Sequence, residues 1–349
     1  MPFPGIFGQP RAIAVLAAAL RADRVPHAYL FEGPDGVGRR AAALALAQGL
    51  NCLEPADDAC GACRPCRKIA AGQHPDVQVL APEGQSGGGV YRVDQVRTLA
   101  RDLAFRPFEG RRKVAVLERA EALGPVAGNA LLKTLEEPPA SSHLILLAPG
   151  RHSLLPTVAS RCQAVTFRPL ETADLLRILE ARRLPAAPDG SWDRAGAVQA
   201  AALADGSAGR AAALAEAGGL GGRRALIEQV AHLSRRRVDE LFRVAEGLAA
   251  DKDALPGHLE MLRGWLRDLL VARVTLEDQV PAGTPEGPRF AVPLLHGDLA
   301  ELVAAQAADR RLDDLAAGLA AIDAARAALR RNANRTLIVE QLLLKLAQP

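Results

Sequence analysis

Gly33, Gly36 and Gly38 lie in the run Gly33-Pro34-Asp35-Gly36-Val37-Gly38-Arg39-Arg40. That spacing belongs to a loop that wraps backbone N–H groups around a triphosphate. Such a loop closes with a lysine that reaches the β- and γ-phosphates, then with a serine or threonine whose hydroxyl binds Mg²⁺. Here Arg39 and Arg40 hold those two positions. A guanidinium keeps the positive charge in another geometry, and it cannot ligate magnesium. The run keeps the cradle of a nucleotide site without its metal ligand; the alternative is a glycine-rich turn.

A second stretch departs in the same direction. Lys113 to Leu117 reads as an apolar strand of the kind that ends in Asp-Glu in nucleotide hydrolases, where the first carboxylate orients the metal and the second polarises water. Glu118 and Arg119 follow here. A glutamate could still approach a metal through water, but Arg119 cannot act as a general base. With both motifs altered, no intrinsic ATPase activity is expected. Whether nucleotide binds passively stays open: the glycines preserve the cradle, while Arg39 and Arg40 could fill it.

Four of the five cysteines cluster as Cys52, Cys60, Cys63 and Cys66. In a reducing compartment thiolates at this spacing read as a tetrahedral structural zinc site with no open position, and a disulfide pair is the alternative. Arg64, Arg67 and Lys68 would offset the charge of a Zn–Cys₄ centre. Cys162 stands alone and reads as a small buried packing residue.

The elements that must position these groups follow from hydrophobic periodicity. Strands are expected at 28–32, 77–80, 114–117, 144–148 and 164–167. Helices are expected near 39–50, 93–105, 125–135 and 154–159. This alternation predicts a mainly parallel sheet covered on both faces. Gly84 to Gly89 reads as a loop. Beyond Phe167 the pattern is helical: 172–183 with Thr172 as N-cap, a loop near Pro185–Ser191, then 194–204 and 207–217. The glycine patch Gly218–Gly222 reads as a hinge, Pro281–Pro293 as a loop, and Arg335 to Leu346 as a final helix entered through Asn332–Asn334.

The chain's 349 residues suit two or three domains. Apolar residues make up 49% and aromatics 3%, so Ala, Leu and Val must fill the core. The net charge of +3 gives no support for binding nucleic acid through bulk charge. No apolar run reaches the ~18 residues that span a bilayer, and the start lacks a signal peptide's pattern, so a cytoplasmic location is expected.

Taken together, these residues resemble the clamp-loader subunits of the AAA+ family that serve bacterial DNA polymerase III. The resemblance is carried by Gly8-Gln9 with Ala12 and Leu16, the run from His27 to Phe31, the degenerate loop, the cysteine insertion at about 52–66, and His74-Pro75-Asp76. It continues through Gly128 to Pro139 and Ser160-Arg161-Cys162, while the C-terminal third matches only in helical character and near Asn332–Asn334. It implies an α/β AAA+ base domain (1–167), a small helical lid (168–217) and an all-α collar (218–349). It further implies a rigid, non-hydrolysing subunit that assembles with gamma/tau ATPase subunits and a delta subunit, and that acts on the sliding clamp and primer-template DNA through the assembly.

Arg161 carries the strongest implied role, an arginine finger reaching the γ-phosphate of a neighbour's ATP; the bland alternative pairs it with a local acid. Lys133 and Glu136 read as a solvated helix pair. Ala148-Pro149 occupies the place where the family often has a γ-phosphate-sensing Thr or Asn, and Arg210 lies near the family's lid arginine. Two other classes stay in play: an active gamma/tau-like ATPase with Arg39 in place of lysine, and a zinc-dependent nucleic-acid-binding module.

Overall fold

A computed structural model describes residues 3, 5–54, 59–83, 89–186, 191–216, 219–252, 254–278, 292, 294–331 and 333–347. Five strands form one parallel sheet in the order β2-β3-β4-β1-β5: β1 (Ala28–Glu32), β2 (Val77–Leu80), β3 (Lys113–Leu117), β4 (Ser142–Ala148) and β5 (Gln163–Thr166). In register, Leu30 faces Leu146 on one side and Ala164 on the other, while Ala115 faces Leu144. Every residue of β4 is buried, as a central strand covered on both faces must be.

Side-chain alternation along each strand sorts the core into two layers. Leu30, Ala115, Leu117, Leu144 and Leu146 point to one face. There they meet α4 (Val93–Ala104), α5 (Pro125–Glu136) and α6 (Pro156–Ala159). Tyr29, Phe31, Val114, Val116, Ile145 and Leu147 point to the other, against α1 (Pro10–Arg21) and α2 (Arg39–Asn51). Each fully buried leucine, such as Leu30, Leu46 or Leu117, contributes about 2 kcal/mol of transfer free energy. Between α2 and β2 runs the short helix α3 (Arg64–Ala70), with proline in its first turn.

Beyond β5 come α7 (Thr172–Ala181), α8 (Arg194–Leu203) and α9 (Ala208–Ala215). Asp193 caps α8 by accepting from the Gly196 N–H at 3.0 Å. Thr172 is not the cap of α7: Glu171 is, and it makes no side-chain cap bond. The chain divides into a first compact unit, which comprises residues 1–85 and 89–213, and a second that includes residues 214–349.

The second unit contains α10 (Gly219–Ala231), α11 (Val238–Ala250), α12 (Leu255–Asp278), α13 (Ala300–Ala308), α14 (Leu312–Arg330) and α15 (Arg335–Leu346). Its core surrounds Trp265, whose ring lies 5.5 Å from the Arg310 guanidinium carbon. Asn334 caps α15 through the Leu337 N–H at 3.3 Å. Gly219 to Gly222, expected as a hinge, form the start of α10 instead. Residues 84–88 of the expected Gly84–Gly89 loop, 187–190 of the Pro185–Ser191 loop and nearly all of Pro281–Pro293 lie outside the described residues, as do Gly218 and Asn332. Among the described residues no helix is long and apolar enough to cross a membrane.

Candidate functional site

The glycine loop follows β1 directly and opens α2, with Gly38 at the N-cap in the left-handed region. Two of its glycines are required by contact. A Cβ on Gly33, at φ +152°, would stand 2.3 Å from the Phe167 carbonyl oxygen, and one on Gly36, at φ +78°, 2.1 Å from Ser207 Oγ. The loop is further held by Gln9, a buried side chain whose Nε2 donates to the Val37 carbonyl at 3.1 Å and the Arg168 carbonyl at 2.7 Å. The Arg168 N–H donates back to Gln9 Oε1 at 3.1 Å. From the far side, the Ala208 N–H that begins α9 donates to the Gly36 carbonyl at 2.9 Å.

Both substituted positions are engaged by acids. Arg39 is buried and its Nη2 donates to Asp35 within the loop, while its Nη1 is buried without a hydrogen-bond partner among the described residues. Burial lowers the Arg39 guanidinium from its ordinary value, with Asp35 and Glu121 opposing the shift. Arg40 Nε donates to Glu118 Oε1 at the end of β3. Arg119, the next residue, takes the left-handed conformation at φ +51°. These groups border a cleft of about 520 Å³ that also meets Arg182 and Gly209. A phosphate-bound magnesium ion does not fit this donor set: position 40 offers no hydroxyl, and Glu118 is already paired with a guanidinium.

Arg161 does not border that cleft. It follows α6, where its Nη2 donates to Glu136 Oε1 at 2.7 Å and its Nη1 to the Thr157 carbonyl at 3.0 Å. The Arg161 side chain is 36% exposed. Glu136 thus pairs with Arg161, where the sequence suggested a pair with Lys133. It sits in the last turn of α5, where the helix dipole disfavours a carboxylate and a cation restores balance. Cys162 is buried beside it, its thiol pushed up to about 11 by burial. Arg210 reaches the Leu203 carbonyl at 3.4 Å and Asp205 at 3.8 Å.

Cys52, at the end of α2, Cys60, Cys63, at the N-cap of α3, and Cys66 within it converge: all four Sγ atoms lie within 4.8 Å of one another. All are free of disulfides. Cys52 and Cys63 Sγ are 3.9 Å apart, against about 3.8 Å for thiolates 2.3 Å from a tetrahedral zinc. The Cys60 N–H donates to Cys52 Sγ at 3.3 Å and the Cys63 N–H to Cys60 Sγ at 3.2 Å. Burial works against ionisation of Cys63, yet hydrogen bonds from Leu53 and Cys66 prevail and bring it down to about 7. These residues fit a structural zinc ion: four buried or half-buried sulfurs at the right separation and no further position.

Other contributors lie outside the glycine loop, the cysteine cluster and the Arg161 segment. Asp76, on the turn before β2, accepts from the N–H groups of Phe108, Glu109 and Gly110 at 2.7, 2.9 and 2.8 Å. Burial pushes its carboxyl up, but these three bonds outweigh it and hold the group below the usual aspartate value. Asn51 Oδ1 accepts from the N–H groups of Arg111 and Arg112. The sequence signals only His74-Pro75-Asp76 as part of a pattern, and nothing marks Asn51.

Residues 8–171 match the family described as DNA polymerase III, delta subunit. DNA polymerase III subunit delta' of Bacillus subtilis is 37% identical over 163 residues, 47% of this chain and 48% of that protein. The protein of the same name from Pseudomonas aeruginosa is 48% identical over 137 residues, 39% of this chain and 41% of its own length. DNA polymerase III subunit gamma/tau of Mycobacterium tuberculosis is 36% identical over 179 residues, 51% of this chain and 30% of that one. The matched region spans less than half the length of each of these relatives. It contains the whole parallel sheet, the glycine loop, the cysteine cluster and Arg161. Over residues 8–171, just under half of its length, the chain is similar to the DNA polymerase III delta-subunit family.

Proposed function

We propose that this chain is a non-hydrolysing delta prime subunit of a bacterial DNA polymerase III clamp loader. In this reading it is a rigid stator that assembles with gamma/tau ATPase subunits and a delta subunit in the cytoplasm. The assembly loads the sliding clamp onto primer-template DNA, and this chain is a non-catalytic part of the polymerase holoenzyme. Residues 1–167 act as an AAA+ base, 168–217 as a lid and 218–349 as the oligomerising collar. Arg161 reaches a neighbour's γ-phosphate, exchanging Glu136 for phosphate oxygens when the interface closes. The four cysteines hold one zinc ion as a structural clasp.

The observation that carries this reading is the Arg40–Glu118 pair. A guanidinium occupies the magnesium-hydroxyl position and neutralises the carboxylate a metal would need. An exposed Arg161 supports the transfer of function to another molecule, since its partner pair is a surface one that a phosphate can outcompete. The match to gamma/tau proteins keeps an active ATPase as the second reading, and the same pair opposes it.

Two measurements test the proposal. The purified chain is expected to release no phosphate from Mg-ATP, while adding it to gamma/tau and delta subunits restores DNA- and clamp-stimulated ATPase. Steady turnover by the isolated chain overturns the stator reading. Metal analysis is expected to find about one zinc per chain.

A further inference from the structure

The cysteine cluster is joined to the exposed loop between α4 and β3 by side chains that no motif marks. Phe105 and Phe108 on this loop are 68% and 86% exposed. A loop with so much apolar surface in water keeps one shape only if its backbone is tied elsewhere. Five successive N–H groups are tied. Those of Phe108, Glu109 and Gly110 donate to Asp76, and those of Arg111 and Arg112 donate to Asn51 Oδ1 at 2.9 and 3.0 Å. Lys68 Nζ adds a contact to both Glu109 carboxylate oxygens, at 2.7 and 2.8 Å.

Two of these three anchors belong to the cysteine module. Asn51 precedes Cys52 in the chain, and Lys68 follows Cys66 on the same short helix. Gln48 Nε2 donates to the Cys66 carbonyl at 2.9 Å and so binds α2 to α3. The fit has no slack: a Cβ on Gly110 would stand 2.5 Å from Asn51 Oδ1 and 3.0 Å from His74 Cε1. A seven-residue helix such as α3 does not persist on its own, so its position depends on what holds its ends.

We propose that the metal clasp formed by Cys52, Cys60, Cys63 and Cys66 positions Asn51 and Lys68, and that the conformation of residues 105–112, with it the presentation of Phe105 and Phe108, is metal-dependent. The inference rests on the zinc reading of the cluster. Removing the ion leaves four crowded sulfurs with no common centre. The end of α2 and the start of α3 then separate, and the loop loses its Asn51 and Lys68 contacts while Asp76 stays on the turn before β2.

The test is amide-resolved hydrogen exchange on the full chain, with zinc quantified, before and after chelation under reducing conditions. Chelation is expected to speed exchange at Arg111 and Arg112 by about tenfold or more, to speed it less at Phe108 to Gly110, and to leave central-strand amides such as Val116 and Leu146 unchanged. Asn51→Ala is expected to speed exchange at Arg111 and Arg112 while zinc stays bound. Zinc that binds and leaves without changing exchange in 108–112 overturns the coupling and spares the clasp. A chain that carries no metal after growth with zinc overturns the clasp itself, and the coupling with it. Loss of protection throughout β1–β5 on chelation also overturns the proposal, because the ion then supports the whole sheet.

Discussion

The Arg40 guanidinium donates to the Glu118 carboxylate, so the loop that opens α2 and the end of β3 are joined by an ion pair at the place where a hydrolase holds magnesium. Each residue alone is an unusual choice for its motif. Paired, they satisfy each other, and the guanidinium at position 40 cannot itself ligate a metal.

Restoring the motif should restore the ligand. A variant carrying Arg39→Lys, Arg40→Thr and Arg119→Glu is expected to bind Mg-ATP at least about tenfold more tightly than the natural chain, a gain of about 1.4 kcal/mol. Titration with a fluorescent nucleotide measures it. Equal affinity in the two proteins would mean that something other than the Arg40–Glu118 pair governs the site.

Arg161→Ala should separate stability from function. The Arg161–Glu136 pair lies at the surface, where such pairs contribute about 0–1 kcal/mol, so urea unfolding should move by no more than that. In a loader reconstituted with its ATPase subunits, turnover should fall by about tenfold or more. Unchanged turnover removes the finger assignment.

Asp76→Asn should be costly in a way its position does not announce. The amide replaces one acceptor oxygen with a donor and faces three backbone N–H groups, which predicts a loss of about 3 kcal/mol in chemical denaturation. Because the folded pKa of Asp76 is depressed, its contribution is complete above the unfolded value of about 3.9 and fades as pH falls through the folded value. A variant as stable as the parent at pH 7 would contradict this account.

Two buried histidines should make the first unit sensitive to mild acid. Burial lowers both His74 and His143, and the His143 Nδ1 lies 3.0 Å from the Pro26 carbonyl, which accepts a hydrogen bond from Nδ1–H of the neutral ring. The unfolded chain then binds more protons than the folded one, so stability is complete above about pH 6.5 and declines as pH falls toward the folded values. Melting curves between pH 7.5 and 5 should show the decline, and His143→Gln should flatten part of it. A melting temperature that rises on acidification through this range would reverse the sign.

The strands were legible because a parallel sheet covered on both faces needs continuous apolar runs, and β1 and β2 fall at the expected residues. The cysteine cluster was legible for a similar reason: ligand chemistry fixes residue type and close spacing. What escaped the sequence were partners set by tertiary packing. Asn51 is an ordinary helix-ending residue until the backbone of Arg111 and Arg112 arrives at its side chain. Glu136 looks local to Lys133 on its helix, yet α6 brings Arg161 within 2.7 Å. Gly219 to Gly222 suggested a hinge through composition alone, and the helix they begin overrode that weak propensity.

The contact between Gly36 and Ser207 has a mechanical consequence. With the Ala208 amide bonded to the Gly36 carbonyl and only a hydrogen atom's width at the α-carbon, α9 rests on the glycine turn as a keystone on its arch. The start of α9 cannot leave this turn without first prising it open, and a single methyl group at position 36 would wedge the two apart.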